Sequence, residues 1–275
     1  AREDGLVQHR CVNLRRSGRP HRRGSRRAIG RAARRLEPYR RKLTHIMEKL
    51  RHQKKALQTG DKSHILREAD KYRASDFMDE LELIRNSIRE SGLYDIAEFG
   101  KLKELIYRAK TFGFHMAALD IRQHSGLHED TISDLMKVAN VTDNYAGLSE
   151  EEKIETLTRE LKNPRPLTPV THNLNEDSKA MLEVFKTVRD VLALDENLFG
   201  SYIISMTHAV SDMLEVLVMA KETGLWSHEN GKASSEIDVV PLFETVGDLQ
   251  ACDQLMASIY ENEMYSLQME ARNNF

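Results

Sequence analysis

Long apolar runs and cysteines are scarce in this sequence. No stretch of about eighteen apolar residues occurs among the 275 residues, and no apolar stretch follows the charged N-terminus. Cys11 and Cys252 are the two cysteines, and neither belongs to a CxxC or a Cys/His spacing. These absences argue against a membrane span, a secretory signal, a disulfide framework and a zinc site. We therefore expect a folded, cytoplasmic protein.

The charge is divided unevenly along the chain. Residues 1–35 contain twelve Arg, no Lys and two acids, which gives this segment a charge of about +10. Because the net charge of the chain is −2, residues 36–275 carry about −12. An Arg-rich arm can bind nucleic acid phosphates by releasing counterions. Because residues 1–36 show no apolar periodicity, we interpret them as a disordered tail or as a wrongly assigned start of the reading frame.

Apolar residues recur at helical spacing from Glu37 onward, and Pro38 suits a first helical turn. Ser75 is a candidate cap of a further helix that ends at Gly92. We expect the apolar faces of these helices and of the next to form core: Leu43, Ile46, Met47, Leu50, Phe77, Leu81, Ile84, Ile88, Leu102, Leu105, Ile106 and Ala109. Further on, Ser149 and Glu152 form the S-x-x-E signature of a capping box. Met181, Leu182, Phe185, Val188 and Leu192 define another amphipathic helix.

Three short segments are typical of buried strands. They lie at residues 114–123, 200–206 and 237–244, and each is followed by a helical pattern, at 132–138, 213–219 and 249–259. A strand, loop and helix in repeated order predicts parallel βα units. The expected fold is mainly α with a few parallel strands, in which residues 37–275 form part of a TIM-type β/α barrel surrounded by long helices. Three strands cannot close a barrel.

Polar residues end each predicted strand, where β/α barrels place their functional groups. Asp120, Arg122 and Gln123 end the first strand, Ser205, Thr207 and His208 the second, and Glu244 and Thr245 the third. Arg122 could bind a phosphate or carboxylate in a bidentate manner, and Glu244 could hold Mg²⁺ beside a developing enolate. Alternatively, Arg122 pairs with Asp120 or another acid at the sheet rim and Glu244 caps the next helix.

The eleven histidines form no HExxH motif and no assignable Ser/His/Asp order. His124 and His128 are four residues apart, but Gly126 lies between them and indicates that no helix has begun. We interpret them as loop or cap residues rather than a metal pair. His208, near Asp212, is a better candidate for substrate contact, although a polar residue at a helix N-terminus is the commoner explanation.

Four of these blocks together closely resemble phosphoenolpyruvate carboxylase. They are FGFHMAALDIRQHS, LSEEEKIETLTRELKNPRPL, GSYIISMTHAVSDMLEVLVMAKETGL and VVPLFETVGDL, in family order and approximate spacing. The similarity runs from about Glu37, where EPYRRKL also resembles the family, to the C-terminus. The Arg-rich segment does not match it by these motifs.

The resemblance implies a Mg²⁺- or Mn²⁺-dependent carbon–carbon lyase. Such an enzyme combines phosphoenolpyruvate with bicarbonate to give oxaloacetate and phosphate, feeds the citric acid cycle, and is typically a homotetramer. By the DIRQ motif Arg122 is a substrate-phosphate contact, and by the LFET motif Glu244 is a metal ligand. Neither a membrane nor nucleic acid is expected as a partner.

Several family motifs are missing from this sequence. The TAHPTE-type motif with the catalytic His, the GYSDS-type motif with a second metal-binding Asp, and the FHGRGGS-type loop do not occur. No catalytic residue is therefore assigned. We expect an incomplete fragment without carboxylase activity, and oxaloacetate formation that is abolished by Glu244→Ala would contradict this. The alternative is a non-catalytic helical fragment whose Arg-rich arm binds nucleic acid.

Overall fold

A computed structural model describes residues 37–167 and 174–274 of the chain. The chain divides into two compact units between Met116 and Ala117, a division that the sequence did not indicate. The Arg-rich segment 1–36 lies outside the described residues. Its disordered and nucleic-acid-binding interpretations therefore stay predictions.

All the regular secondary structure among the described residues of the first unit is helical. Its helices are α1 (Pro38–Thr59), α2 (Lys62–Lys71), α3 (Ala74–Glu90), α4 (Tyr94–Phe99) and α5 (Lys101–Phe112). Pro38 occupies the first turn of α1 as predicted, and Gly60 ends the helix in the left-handed conformation. The prediction that Ser75 caps α3 is wrong, because the helix begins at Ala74 and Arg73 is the cap residue. The Asp76 carboxylate accepts from the Arg73 amide at 2.8 Å.

The core of the first unit is formed by Ile46, Phe77, Leu81, Ile84 and Ile106 together with Tyr72 and Ala109. This confirms most of the predicted apolar faces. Leu43, Met47 and Leu105 are exposed instead. Helix α1 thus buries a narrower stripe than its apolar sequence suggests, because it packs on few neighbours within this unit.

The second unit combines a sheet with packed helices. Its elements are β1 (Leu119–His124), α6 (Ser125–Val138), α7 (Glu150–Lys162), α8 (Glu176–Leu192), β2 (Phe199–Ser205), α9 (Val210–Thr223), β3 (Trp226–Glu229), β4 (Lys232–Ser235), β5 (Asp238–Leu242), α10 (Val246–Glu261) and α11 (Glu263–Ala271). Short 3₁₀ turns at Tyr145–Gly147 and Glu196–Leu198 precede α7 and β2. The Ser149–Glu152 capping box of α7 is confirmed.

The sheet has the order β1-β2-β5, and both pairings are parallel. The mainly α fold with a few parallel strands is thereby confirmed. Among the described residues no sheet closes into a barrel. Residues 114–118 of the first predicted strand do not form strand, and Met116 has a positive φ of 70°. The antiparallel hairpin of β3 and β4 was not predicted.

Helix α9 forms the centre of the second unit. Met213, Leu214, Val216, Leu217 and Val218 are all fully buried, so the helix is buried around its whole circumference. Such a helix must be covered on every side. It packs against α6, α7, α8 and the sheet, and thereby fixes the strands relative to the helices that follow them.

Candidate functional site at the strand ends

The carboxyl ends of the three parallel strands lie at one edge of the sheet. His124 is opposite Ser205, and Ser205 is opposite Leu242 in the strand register. Residues that follow β1, β2 and β5 therefore emerge side by side, with the loop after β2 in the middle. This is the edge at which open and closed α/β sheets bind their ligands.

Arg122 and Glu244 meet at this edge. The Arg122 guanidinium on β1 donates from Nη2 to Oε1 of Glu244, which lies two residues beyond β5. The contact spans the end of β2, and the two side chains are 54% and 29% exposed. Arg122 thus adopts the arrangement of the alternative interpretation, in which it pairs with an acid at the sheet rim. An ion pair this exposed contributes only about 0–1 kcal/mol, so a ligand can displace it at little cost.

The alternative interpretation is correct about an acid at the sheet rim and wrong about the cap of the next helix. Asp120 does not bind Arg122, since its Oδ1 accepts from the Ser201 amide at 2.9 Å. Gly200 leaves space for that carboxylate, because a Cβ there would overlap Asp120 Oδ1. Glu244 does not cap the next helix either. Thr245 is the cap of α10, and its hydroxyl accepts from the Asp248 amide at 3.1 Å.

The hydroxyl groups at the end of β2 bind backbone rather than facing a ligand. Ser205 donates to the Gln123 carbonyl at 3.2 Å, and the fully buried Thr207 donates to the Ile204 carbonyl at 3.0 Å. Between them Met206 has a φ of 58°, an uncommon value for a residue with a side chain. The Ser205 and Thr207 hydroxyls therefore hold the backbone at this strand end in place.

His208 joins the loop after β2 to the start of α10. Its Nδ1 lies 2.9 Å from Asp248 Oδ1, and its amide donates to Asp212 Oδ2 at 2.7 Å. Hydrogen bonding from Thr245, more than from the His208 ring, holds the pKa of Asp248 below its ordinary value. Burial raises the pKa of Asp212, although the His208 and Ala209 amides oppose this shift. Asp248 was not singled out from the sequence, yet the T-x-x-D spacing after β5 could have indicated it.

The other histidine pair has two separate structural roles. His124 caps α6 through Nδ1, which accepts from the Gly126 amide at 3.0 Å. The prediction that His128 is a loop residue is wrong, because α6 begins before Gly126 and includes His128. The His128 side chain is fully buried. Its Nε2 is 2.9 Å from the Tyr202 hydroxyl, and burial lowers the pKa of His128 to about 4.

A buried acid near the edge gave no signal in the sequence. Glu215 on α9 accepts from the Tyr145 hydroxyl at 2.9 Å, while its Oε2 has no hydrogen-bond partner among the described residues. Burial, followed by repulsion from Asp212, raises the pKa of Glu215 well above its ordinary value. Glu129, bound to Lys153 at 2.7 Å, lies nearby. This network connects α6, α7 and α9 beneath the loop that follows β2.

Comparison with known proteins adds the family. The family model described as phosphoenolpyruvate carboxylase matches residues 12–275. The chain belongs to the phosphoenolpyruvate carboxylase family. The match begins inside the Arg-rich segment, earlier than the motif resemblance from Glu37, so the comparisons do not favour a separate nucleic-acid-binding arm.

Curated phosphoenolpyruvate carboxylases are similar to most of this chain. The protein of Rhodothermus marinus is 40% identical over 248 residues, which are 88% of this chain and 26% of that protein. Those of Prochlorococcus marinus subsp. pastoris and Ralstonia nicotianae are 38% and 35% identical, and the matches cover 84% and 86% of this chain. The chain spans about a quarter of the length of the curated carboxylases that it matches.

Within residues 37–167 and 174–274, no group of three or more His, Cys, Asp or Glu is arranged to hold an ion. Mg²⁺ is usually bound by one or two carboxylates together with water and substrate oxygens. The carboxylate of Glu244, 29% exposed, has the chemistry of one such ligand. No helix in the same ranges has the length and apolar character needed to cross a bilayer.

Proposed function

We propose that this chain is a segment of a phosphoenolpyruvate carboxylase that acts in the cytoplasm as a homotetramer. The reaction carboxylates phosphoenolpyruvate with bicarbonate to give oxaloacetate and phosphate. The observation that carries the proposal is the meeting of Arg122 and Glu244 at one sheet edge, in a chain that matches the family over residues 12–275. The parallel order of the strands supports the further proposal that they belong to a β/α barrel.

Arg122 is the proposed contact for the substrate phosphate. Its guanidinium is permanently charged and planar, and it can give two parallel hydrogen bonds to phosphate oxygens. At 54% exposure it can turn from Glu244 to an incoming anion. Its position at the strand end places the substrate where the side chains after β2 and β5 can also reach it.

Glu244 is the proposed ligand for Mg²⁺ or Mn²⁺. Glu244 would hold the ion, which would supply positive charge that stabilises a developing enolate oxygen. When Arg122 binds phosphate, the Glu244 carboxylate loses its partner and is available to a cation. Both charges of the pair thus gain new partners of opposite sign on ligand binding.

The proposed chemistry proceeds in two stages. A bicarbonate oxygen attacks the phosphoryl group, and the bond between phosphorus and the enol oxygen breaks to give carboxyphosphate and the enolate of pyruvate. Carboxyphosphate then releases phosphate and carbon dioxide, which the enolate carbon captures to form oxaloacetate. In the first stage Arg122 holds the oxygens of the transferred phosphoryl group near the bicarbonate. In the second stage it retains phosphate until the new carbon–carbon bond forms.

Binding of phosphoenolpyruvate and Mn²⁺ to the 275-residue chain tests the two assignments separately. Electron paramagnetic resonance reports bound Mn²⁺, and isothermal calorimetry reports phosphoenolpyruvate. We expect Glu244→Gln to abolish the Mn²⁺ signal that depends on phosphoenolpyruvate. Arg122→Gln should weaken phosphoenolpyruvate binding by about tenfold or more, the effect of losing a hydrogen bond to a charged group.

A second ion pair provides matched controls for these variants. Lys162 and Glu263 are joined at 2.7 Å, with side chains 42% and 63% exposed, and they lie away from the strand ends on α7 and α11. Lys162→Gln and Glu263→Gln should leave both ligands bound as in the parent. The proposed site would be contradicted if the variants of both ion pairs weakened ligand binding equally. It would also be contradicted if the Arg122 and Glu244 variants bound both ligands as the parent does.

A further inference from the structure

His208 is held in one orientation by two acids on different helices. The Asp248 carboxylate lies 2.9 Å from Nδ1 of the ring, and a carboxylate of low pKa can only accept a hydrogen bond. Nδ1 must therefore carry a proton. Asp212 accepts the His208 amide at 2.7 Å and the Ala209 amide at 3.1 Å, which fixes the backbone that carries the ring.

The orienting carboxylate is itself fixed. Asp248 Oδ2 accepts from the Thr245 amide at 3.0 Å, while Oδ1 remains for His208. Only 11% of the Asp248 side chain is exposed, compared with 51% of the His208 side chain. The ring thus contacts a partly buried acid through Nδ1, while its other nitrogen, Nε2, makes no hydrogen bond to the described residues.

The position of His208 in the sheet order is the remaining observation. It follows β2 by three residues, and β2 lies between β1, which carries Arg122, and β5, which precedes Glu244. Arg122 and Glu244 reach each other across the end of β2. His208 therefore emerges from the loop that lies between the two proposed ligand-binding residues.

We infer that His208 contacts an anionic oxygen of the same ligand through Nε2, and that Asp248 positions the ring for this contact. The inference rests on the proposed function and adds a third substrate-binding residue to it. With Nδ1 bound to Asp248, Nε2 is the ring nitrogen left for the ligand, and in a doubly protonated imidazole it donates to a phosphate or carboxylate oxygen. A mere link between the loop and α10 would need only the Nδ1 contact.

The test uses the 275-residue chain with Mg²⁺ and phosphoenolpyruvate as the probe. Nitrogen-15 spectra of the histidine rings should show Nδ1 of His208 protonated, and its Nε2 resonance should shift on addition of phosphoenolpyruvate. His208→Gln should weaken phosphoenolpyruvate binding by about tenfold or more, which corresponds to about 1.4 kcal/mol. His52→Gln, at an exposed position on α1, is the matched control and should change neither quantity.

Asp248→Asn tests the positioning role without removing the cap of α10, because an Asn oxygen can still accept from the Thr245 amide. We expect changed nitrogen shifts of the His208 ring and weaker binding, with unfolding unchanged. Unaltered ring shifts in Asp248→Asn would overturn the positioning role.

Other outcomes separate this inference from the proposed function. If Arg122→Gln loses phosphoenolpyruvate binding while His208→Gln binds as the parent does and Nε2 does not shift, the inference falls and the proposed function stands. If the parent chain binds no phosphoenolpyruvate, both fall.

Discussion

The Tyr145 hydroxyl donates to Glu215 across 70 residues of sequence, at 2.9 Å and out of contact with solvent. The other carboxylate oxygen of Glu215 has no hydrogen-bond partner in the described part of the chain. A buried acid with one satisfied oxygen favours the protonated form. The stability of the second unit should therefore depend on pH through this residue.

We expect the free energy of unfolding to fall as the pH rises above the ordinary range of a carboxylic acid. The pKa of Glu215 is higher in the folded than in the unfolded chain, so its contribution is complete at low pH and is lost as the pH rises through the folded value. Glu215→Gln keeps an acceptor for Tyr145 and cannot ionise. Denaturant unfolding from pH 5 to 9 should show a flatter profile for this variant, and Glu261→Gln, which is exposed, should retain the slope of the parent.

His128 should produce a loss of stability on the acid side. Burial lowers its pKa to about 4 from an ordinary value of 6.5, so stability is complete above 6.5 and is lost as the pH falls through the folded value. The shift corresponds to roughly 3 kcal/mol at most. His128→Gln should remove most of this dependence between pH 6.5 and 4, whereas His45→Gln, at an exposed position, should not. An unchanged acid limb in His128→Gln would show that other groups cause it.

Leu217→Ala tests the importance of the central helix α9. Leu217 is fully buried, and deleting its side chain leaves a cavity that the surrounding helices cannot fill completely. The variant should lose about 2–5 kcal/mol in the free energy of unfolding. Leu249→Ala, at a position 58% exposed on α10, should change it by less than about 0.5 kcal/mol. Comparable losses for both variants would contradict the assignment of α9 to the core.

Gly200→Ala should disturb the pairing of β1 with β2. The new methyl group would overlap Asp120 Oδ1, which must then release the Ser201 amide. We expect a loss of about 1–3 kcal/mol, measured by denaturant unfolding. Because the two residues share one contact, Asp120→Ala combined with Gly200→Ala should cost less than the sum of the single changes. Strict additivity would indicate that the overlap is relieved elsewhere.

The parts of the site that were predicted from the sequence depend on strand position. Arg122 and Glu244 could be singled out because the carboxyl ends of parallel strands share an edge, and the structure brings the two residues into contact. Their roles toward substrate and metal remain proposals. Glu215 and Tyr145 could not be predicted, because Tyr145 lies in a single 3₁₀ turn without periodicity and its partner is distant in sequence.

Helix α2 and the hairpin of β3 and β4 were not predicted, for different reasons. Helix α2, Lys62–Lys71, has a largely polar sequence, although Asp61 caps it by accepting from the His64 amide at 3.2 Å. The hairpin of β3 and β4 did have a signal. Asn230 and Gly231 connect the strands with φ values of 53° and 76°, the combination that an Asn-Gly turn provides.

Asp248 has a consequence for how freely this sequence can vary. One oxygen completes the cap of α10 and the other holds the His208 ring. A capping box that serves only its helix, such as Ser149 with Glu152, tolerates any side chain that reaches the cap amide. At residue 248 the side chain must satisfy the helix and the imidazole together, so a longer Glu or Gln that restores the cap alone would misplace the ring. Substitution of Asp248 is therefore restricted by both the helix cap and the His208 contact, although the local sequence indicates only the cap.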